Sequence, residues 1–210
     1  MAEQKKQKAS ILKDALILFL ITVVAGGLLG LVNQITKDPI EASKIKAKEE
    51  AYKVVFADSS SFEENSEIND KLESATFDGA EVTEILEAKD EGGTTIGYVL
   101  SLTAKEGYGG DVTFTIGVST DGTMTGLSVL SHSETAGLGA NCTTEEFTSQ
   151  FEGLKGPEVA YSKEGASADN EFDALSGATI TTKALTKAVN AGLGFLSENG
   201  YIQAIHFPYT

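Results

Sequence analysis

Arginine is absent from this chain, cysteine occurs once and histidine twice. Each scarcity removes a class of function. Nucleic-acid binding relies on basic side chains to neutralise phosphates, yet the formal charge here is −15 over 210 residues. The first fourteen residues hold Lys5, Lys6, Lys8 and Lys13 against Glu3 and Asp14, a local +2 that leaves −17 on the rest. So acidic a remainder argues against nucleic acid as a partner and against flat docking on an anionic lipid surface. Cys142 alone builds no intrachain disulfide, iron–sulfur cluster or cysteine-based zinc site. His132 and His206 are too few for a multi-histidine metal site and disfavour a haem. Redox chemistry in this chain would need an organic cofactor.

What is present begins with one long apolar run. Residues 15–36, ALILFLITVVAGGLLGLVNQIT, contain no charge. These 22 residues suffice to cross a hydrocarbon core of roughly 30 Å as a helix. Ala25-Gly26-Gly27 faintly resembles a signal-peptide cleavage site, but Leu28, Leu29, Leu31 and Val32 continue the run past it, which favours an uncleaved anchor. Lysines flank both ends. The short tail is net basic and the remainder strongly acidic, so a cytoplasmic N-terminus and an outward-facing domain are expected. The expected organisation is a basic tail 1–14, a transmembrane helix 15–36, a stalk helix and linker 37–70, and one domain 71–210.

Asp38-Pro39 has the form of an N-cap followed by proline at the first helical position, predicting a stalk helix from Ile40 to about Phe56. Ala57 to Asn69 is polar and serine-rich and reads as a loop. From Thr94 the apolar period becomes two. Ile96–Leu102, Val112–Val118 and Met124–Leu130 read as three antiparallel strands, with turn signals at Gly107-Tyr108-Gly109-Gly110 and Ser119-Thr120-Asp121-Gly122. Thr143 and Glu146 form a capping box for a short helix to about Phe151. Gly153 to Asn170 reads as a loop. Leu185, Ala188, Val189, Gly192 and Leu196 mark a last helix from about Thr181 to Ser197, with Gly200 to end it. Strands followed by helices without regular alternation indicate α+β. There is no internal repeat.

Two segments carry chemistry. Asp173-Ala174-Leu175-Ser176-Gly177-Ala178-Thr179 leads into the last helix, whose free N–H groups and positive dipole end favour a phosphate. Thr181 and Thr182 would add hydroxyl donors, and Lys183 and Lys187 lie in the first turns. A Ser/Thr-rich helix start without any ligand fits the same residues. The other segment, Ser131-His132-Ser133-Glu134-Thr135-Ala136-Gly137-Leu138-Gly139-Ala140-Asn141, would let a flat ligand approach closely while Leu138 covers one face. An ordinary connecting loop fits it too. His132 and Glu134 have the chemistry for acid–base work, but no nucleophile stands beside them.

Taken in order, these segments resemble a family. The chain is similar to the FMN-binding G subunit of the Rnf electron-transport complex, and more distantly to the C subunit of the sodium-pumping NADH:quinone reductase. In that family a D-x-x-S/T-G-A-T motif is read by a flavin transferase, which moves FMN from FAD onto the last threonine as a phosphoester. Asp173, Ser176, Gly177, Ala178 and Thr179 match it position for position. The family's H-x-E-T-P-G-L-G loop is met by His132, Glu134, Thr135, Gly137, Leu138 and Gly139, with Ala136 in place of the proline. Gly107-Tyr108-Gly109-Gly110 resembles the family's glycine-tyrosine turn. The resemblance implies covalent FMN at Thr179, with Ser176, Gly177, Ala178, Thr181, Thr182, Glu134, Thr135, Gly137, Leu138, Gly139 and Tyr108 about the cofactor. It implies a non-catalytic electron relay, with neighbouring subunits of a ferredoxin:NAD oxidoreductase that moves ions as partners. Membership of the quinone reductase, a stand-alone extracytoplasmic reductase, and a cofactor-free anchored binding domain are the alternatives.

Overall fold

The computed structural model describes residues 2–156 and 158–203, with side chains from Lys13 onward. His206 and the side chains of Lys5, Lys6 and Lys8 lie outside the described residues. The chain divides into two compact units, Met1–Lys46 and Ala47–Thr210.

The first unit belongs to helix α1 (Ala2–Val55). Its apolar stretch has a mean hydropathy of 2.7 and buries nothing within the molecule. Side chains such as Leu16, Phe19 and Leu29 stand fully out from the helix. The helix is long and apolar enough to cross a membrane. Within the helix Thr22 donates to the Leu18 carbonyl and Thr36 to that of Val32. The helix start expected at Asp38-Pro39 is corrected, because α1 runs on through Pro39. Proline removes one N–H bond, and the helix-favouring sequences on both sides are long enough to carry the helix past that gap.

The second unit is built on a five-stranded antiparallel meander in the order β1-β2-β3-β4-β5. The strands are β1 (Ser61–Glu64), β2 (Ala80–Lys89), β3 (Thr95–Gly107), β4 (Gly110–Ser119) and β5 (Met124–Ser131). Expected strands 96–102, 112–118 and 124–130 are the cores of β3, β4 and β5. The serine-rich loop 57–69 is corrected, for it contains β1 and the start of helix α2 (Ser66–Glu73), which Asn65 caps by accepting the Glu67 N–H at 2.9 Å. Strand β2 has no counterpart among the expected strands. A bulge between Val82 and Glu84 breaks its alternation, and three glutamates interrupt the apolar pattern.

Alternate strand residues point to opposite faces. Leu100, Leu102, Phe114 and Ile116 line one face, on which helix α4 (Thr179–Glu198) lays Leu185, Ala188, Val189, Leu193 and Leu196. Gly192 lets α4 come close, since a Cβ there would stand 2.9 Å from Leu100 Cδ2. The opposite face is covered by the C-terminal turns of α1, where Tyr52, Val55 and Phe56 pack on Leu86, Ala88 and Val99. Gly117 and Gly126 leave room for the Val55 backbone, and the Thr125 hydroxyl donates to the Val55 carbonyl. Val99 is thus buried on the face opposite Leu100 and Leu102, so β3 carries apolar side chains on both faces.

Beyond β5, a 3-10 turn (Gly139–Thr143) leads to α3 (Glu145–Thr148) and a second 3-10 turn (Ser149–Phe151). The Thr143–Glu146 capping box is corrected. Thr144 is the N-cap and no side chain caps the helix, because Thr143 closes the preceding turn by donating to the Ala140 carbonyl. The loop expected from Gly153 to Asn170 contains β6 (Ala160–Ser162), paired in parallel with β7 (Glu171–Asp173). Phe172 packs against both Phe147 and Phe151, at ring-centroid distances of 5.8 and 4.6 Å. That cluster fixes where the chain leaves β7 for α4, which starts at Thr179 and ends before Gly200 at φ +74°.

Candidate functional site

Three segments distant in sequence meet at the N-terminus of α4. The β3–β4 turn brings Tyr108, the loop after β5 brings Glu134, Thr135, Leu138 and Gly139, and the approach to α4 brings Gly177 through Thr181. Together they line a cleft of about 410 Å³.

Glu134 ties the three together. Its carboxylate is buried at 8% exposure and accepts the Gly109 N–H at 3.0 Å and the Thr181 hydroxyl at 2.8 Å. Room for it comes from glycines. A Cβ on Gly107 would lie 2.7 Å from Glu134 Oε1, and one on Gly139 2.7 Å from Thr181 Oγ1. Gly109 lies so close to the Ser133 carbonyl that no side chain fits between them. The loop itself is held by the Glu134 N–H donating to His132 Nδ1 at 3.1 Å. His132 and Glu134 are therefore both engaged in hydrogen bonds within the fold.

The helix end is unusual in what it leaves open. Ala178, at the N-cap, offers no capping side chain, and the first turn holds no acidic residue. The leading N–H groups thus remain available to an anion. Thr179 is half-buried, and among the described residues its hydroxyl makes no intramolecular hydrogen bond. Thr181 and Thr182, expected as further hydroxyl donors, are fully buried and already engaged. Thr181 donates to Glu134, while Thr182 donates to the Ala178 carbonyl at 3.0 Å and accepts the Leu175 N–H at 3.1 Å. Lys187 points elsewhere, pairing with Asp78 at 2.8 Å and Glu106 at 3.3 Å, and Lys183 is exposed outside the cleft.

The walls of the cleft are apolar where apolar surface has no structural reason to be. Tyr108, Leu138 and Ile180 are 70%, 43% and 52% exposed. Among the described residues of the second unit only Val54 is a comparably exposed large hydrophobe. Three such side chains around one concavity make it the candidate ligand site. An unfilled helix N-terminus beside apolar walls suits a group with an anionic phosphate at one end and a flat ring at the other. Ile180 was not anticipated. Its signal was present, since it is an apolar residue that falls off the Leu185–Ala188–Val189 stripe.

The remaining expected residues sit nearby. Gly137 forms the crest of the loop at φ +76°. Asp173 and Ser176 line a neighbouring groove with Gln150 and Phe147. Asp173 is fixed there by its N–H donating to Gln150 Oε1 and its carboxylate accepting the Ala166 N–H.

Cys142 lies fully buried in the turn after the loop. Burial, with the Glu134 carboxylate adding to it, pushes its thiol up to about 11. A thiol so protonated is a poor nucleophile. At pH 8 the folded protein should react with a thiol-directed disulfide reagent at least about 100-fold more slowly than the denatured chain. Equal rates before and after denaturation would show that the thiol is exposed.

A family model described as an FMN-binding domain matches residues 107–194, which span the whole cleft. A second, described as the RnfG N-terminal region, matches residues 1–55. The chain is 32% identical to the G subunit of the ion-translocating oxidoreductase complex of Methanosarcina acetivorans, over 89% of this chain and 95% of that protein. It is 30% identical to the G subunit of the Na(+)-translocating ferredoxin:NAD(+) oxidoreductase complex of Acetobacterium woodii, over 87% and 90%. Among solved structures, the C subunit of the Na(+)-translocating NADH-quinone reductase of Parabacteroides distasonis aligns with a TM-score of 0.46 and 28% identity, over 54% of this chain and 62% of that one.

Proposed function

Since the chain belongs to the family of ion-translocating oxidoreductase complex G subunits, we propose that it is the membrane-anchored subunit that relays electrons through one FMN in the cleft, held covalently at Thr179. The carrying observation is the cleft itself, where exposed Tyr108, Leu138 and Ile180 flank an uncapped helix N-terminus bearing the Thr179 hydroxyl. Bound there, the flavin supplies a ring that accepts and returns electrons.

The chain's own residues hold, orient and shield it. The N–H groups at the start of α4 would hold the phosphate, and the Thr179 oxygen would anchor it. Tyr108 and Leu138 would offer apolar surface to the ring, and Gly177 would let backbone approach it. Neither His132 nor Glu134 takes part in proton transfer with a substrate in this reading.

A threonine hydroxyl is a weak nucleophile near neutral pH, so attachment needs a flavin transferase. In that step the Thr179 oxygen forms a bond to the FMN phosphorus of FAD. The pyrophosphate bond breaks, AMP leaves and the hydroxyl proton is lost. Asp173 and Ser176-Gly177-Ala178 present the recognition sequence, as a folded turn held by Gln150 and Thr182. The anchor is residues 15–36, the N-terminus faces the cytoplasm, and the FMN domain lies outside it. The other subunits of an ion-translocating ferredoxin:NAD oxidoreductase supply and take the electrons.

The test is co-expression with an active flavin transferase, followed by mass analysis of the lysine-bounded peptide 164–183. The peptide should gain the mass of FMN less one water on Thr179. An unmodified peptide beside a flavinylated control substrate would refute the covalent assignment.

A further inference from the structure

Glu134 is a buried carboxylate for which neither the fold nor electron relay requires a negative charge. Its contacts are neutral. Oε1 accepts a backbone N–H from Gly109 and Oε2 accepts the Thr181 hydroxyl. Among the described residues it has no ion-pair partner, and its own N–H faces His132 Nδ1. A glutamine would keep the shape and one acceptor, and a threonine–amide pair would tie the same segments. What a carboxylate has and a glutamine lacks is a formal charge, placed here at the buried wall of the cleft where electrostatic interactions are weakly screened.

We propose that Glu134 sets the reduction potential of the flavin, its fixed negative charge holding the bound cofactor at a lower potential than a neutral residue would. The inference rests on the reading of the cleft as an FMN site. Reduction by two electrons, when one proton follows them, leaves the ring with one more negative charge. The electrons come from a neighbouring carrier, and the proton from water at the cleft mouth. A carboxylate already lining the cleft opposes that gain. The N–H and O–H donors from Gly109 and Thr181 fix where the charge sits and offset only part of it. Glu134 is thus a positioning residue that acts on the cofactor through its field, at a distance.

A unit charge within several ångströms at an effective dielectric near ~20 shifts such an equilibrium by about tenfold or more. The experiment uses the full-length chain, flavinylated by a co-expressed transferase and titrated with dithionite against a reference dye. Glu134→Gln is expected to move the oxidised-to-reduced ratio at fixed potential about tenfold toward reduced, which is about 30 mV for a two-electron couple. Glu134→Asp keeps the charge and should stay within about threefold of the parent. Thr181→Val removes a donor, leaves the carboxylate less compensated, and should shift the ratio the opposite way.

A Glu134→Gln potential equal to the parent's overturns the proposal. So do equal shifts in the Gln and Asp variants, which would reduce Glu134 to a structural tie. If circular dichroism shows that Glu134→Gln does not fold, Thr181→Val decides, and an unchanged potential there refutes the idea. A parent protein that takes up no flavin at all would instead overturn the cofactor reading, and this inference with it.

Discussion

Thr179→Ala should abolish the in-gel fluorescence of the native protein while leaving its fold intact. The loss is expected to be complete, because the proposed covalent bond needs an oxygen nucleophile and the hydroxyls adjacent in the chain cannot replace it. Thr181 and Thr182 are fully buried, with their protons committed to Glu134 and to the Ala178 carbonyl. Ser176 lies in the groove on the other side of the turn. Stability should move little, within about 0.5 kcal/mol as for surface substitutions that break no internal bond. Two measurements separate the possibilities. Retained fluorescence in a variant that melts like the parent would place the flavin on another residue. Lost fluorescence together with a collapsed melting transition would mean that the variant had failed to fold.

The second large effect concerns the seat of α1 on the sheet. Gly117→Val should destabilise the protein by about 3 kcal/mol, lowering its melting temperature by roughly 6–12 °C. A Cβ at Gly117 would run into the Val55 carbonyl and the Thr125 hydroxyl, which already bond to each other. Neither is the free end of a flexible side chain. The backbone of α1 would have to lift, taking Tyr52 and Phe56 away from Leu86 and Val99. Gly194→Ala is the counter-test. Gly194 is helical with open space where its Cβ would be, so alanine should stabilise by about 0.5–1 kcal/mol. Two glycine substitutions of opposite sign, read by thermal denaturation, test the packing itself. A Gly117→Val protein that melts like its parent would show that α1 is not seated as described.

Sequence and structure agree where a pattern is local. β3, β4 and β5 were legible because glycine turns bound them and their apolar residues recur with a period of two. α4 was legible from its 3.6-residue stripe and Gly200. The motif from Asp173 to Thr179 needed no geometry at all, because its residues are contiguous in the chain. β2 was hidden because its bulge changes which residues face inward midway along the strand. Glu84, seemingly an interruption, is compensated there by Lys48 at 2.6 Å and by the Tyr52 hydroxyl. Those partners come from another element, and no window over residues 80–89 contains them.

The sequence alone determined the apolar span, the meander core, the last helix and Thr179 as the residue that matches the flavin-attachment position. These rest on periodicity and contiguous motifs, which survive being read one residue after another. Tertiary structure decided what surrounds Thr179. It brought Tyr108, Leu138 and Ile180 to one cleft, turned Thr181 and Thr182 inward, and set the Glu134 carboxylate between Gly109 and Thr181. The reason is physical. Which hydroxyl is free and which carboxylate is buried depend on partners 25 and 47 residues away in the chain, and only folding brings them within hydrogen-bonding distance.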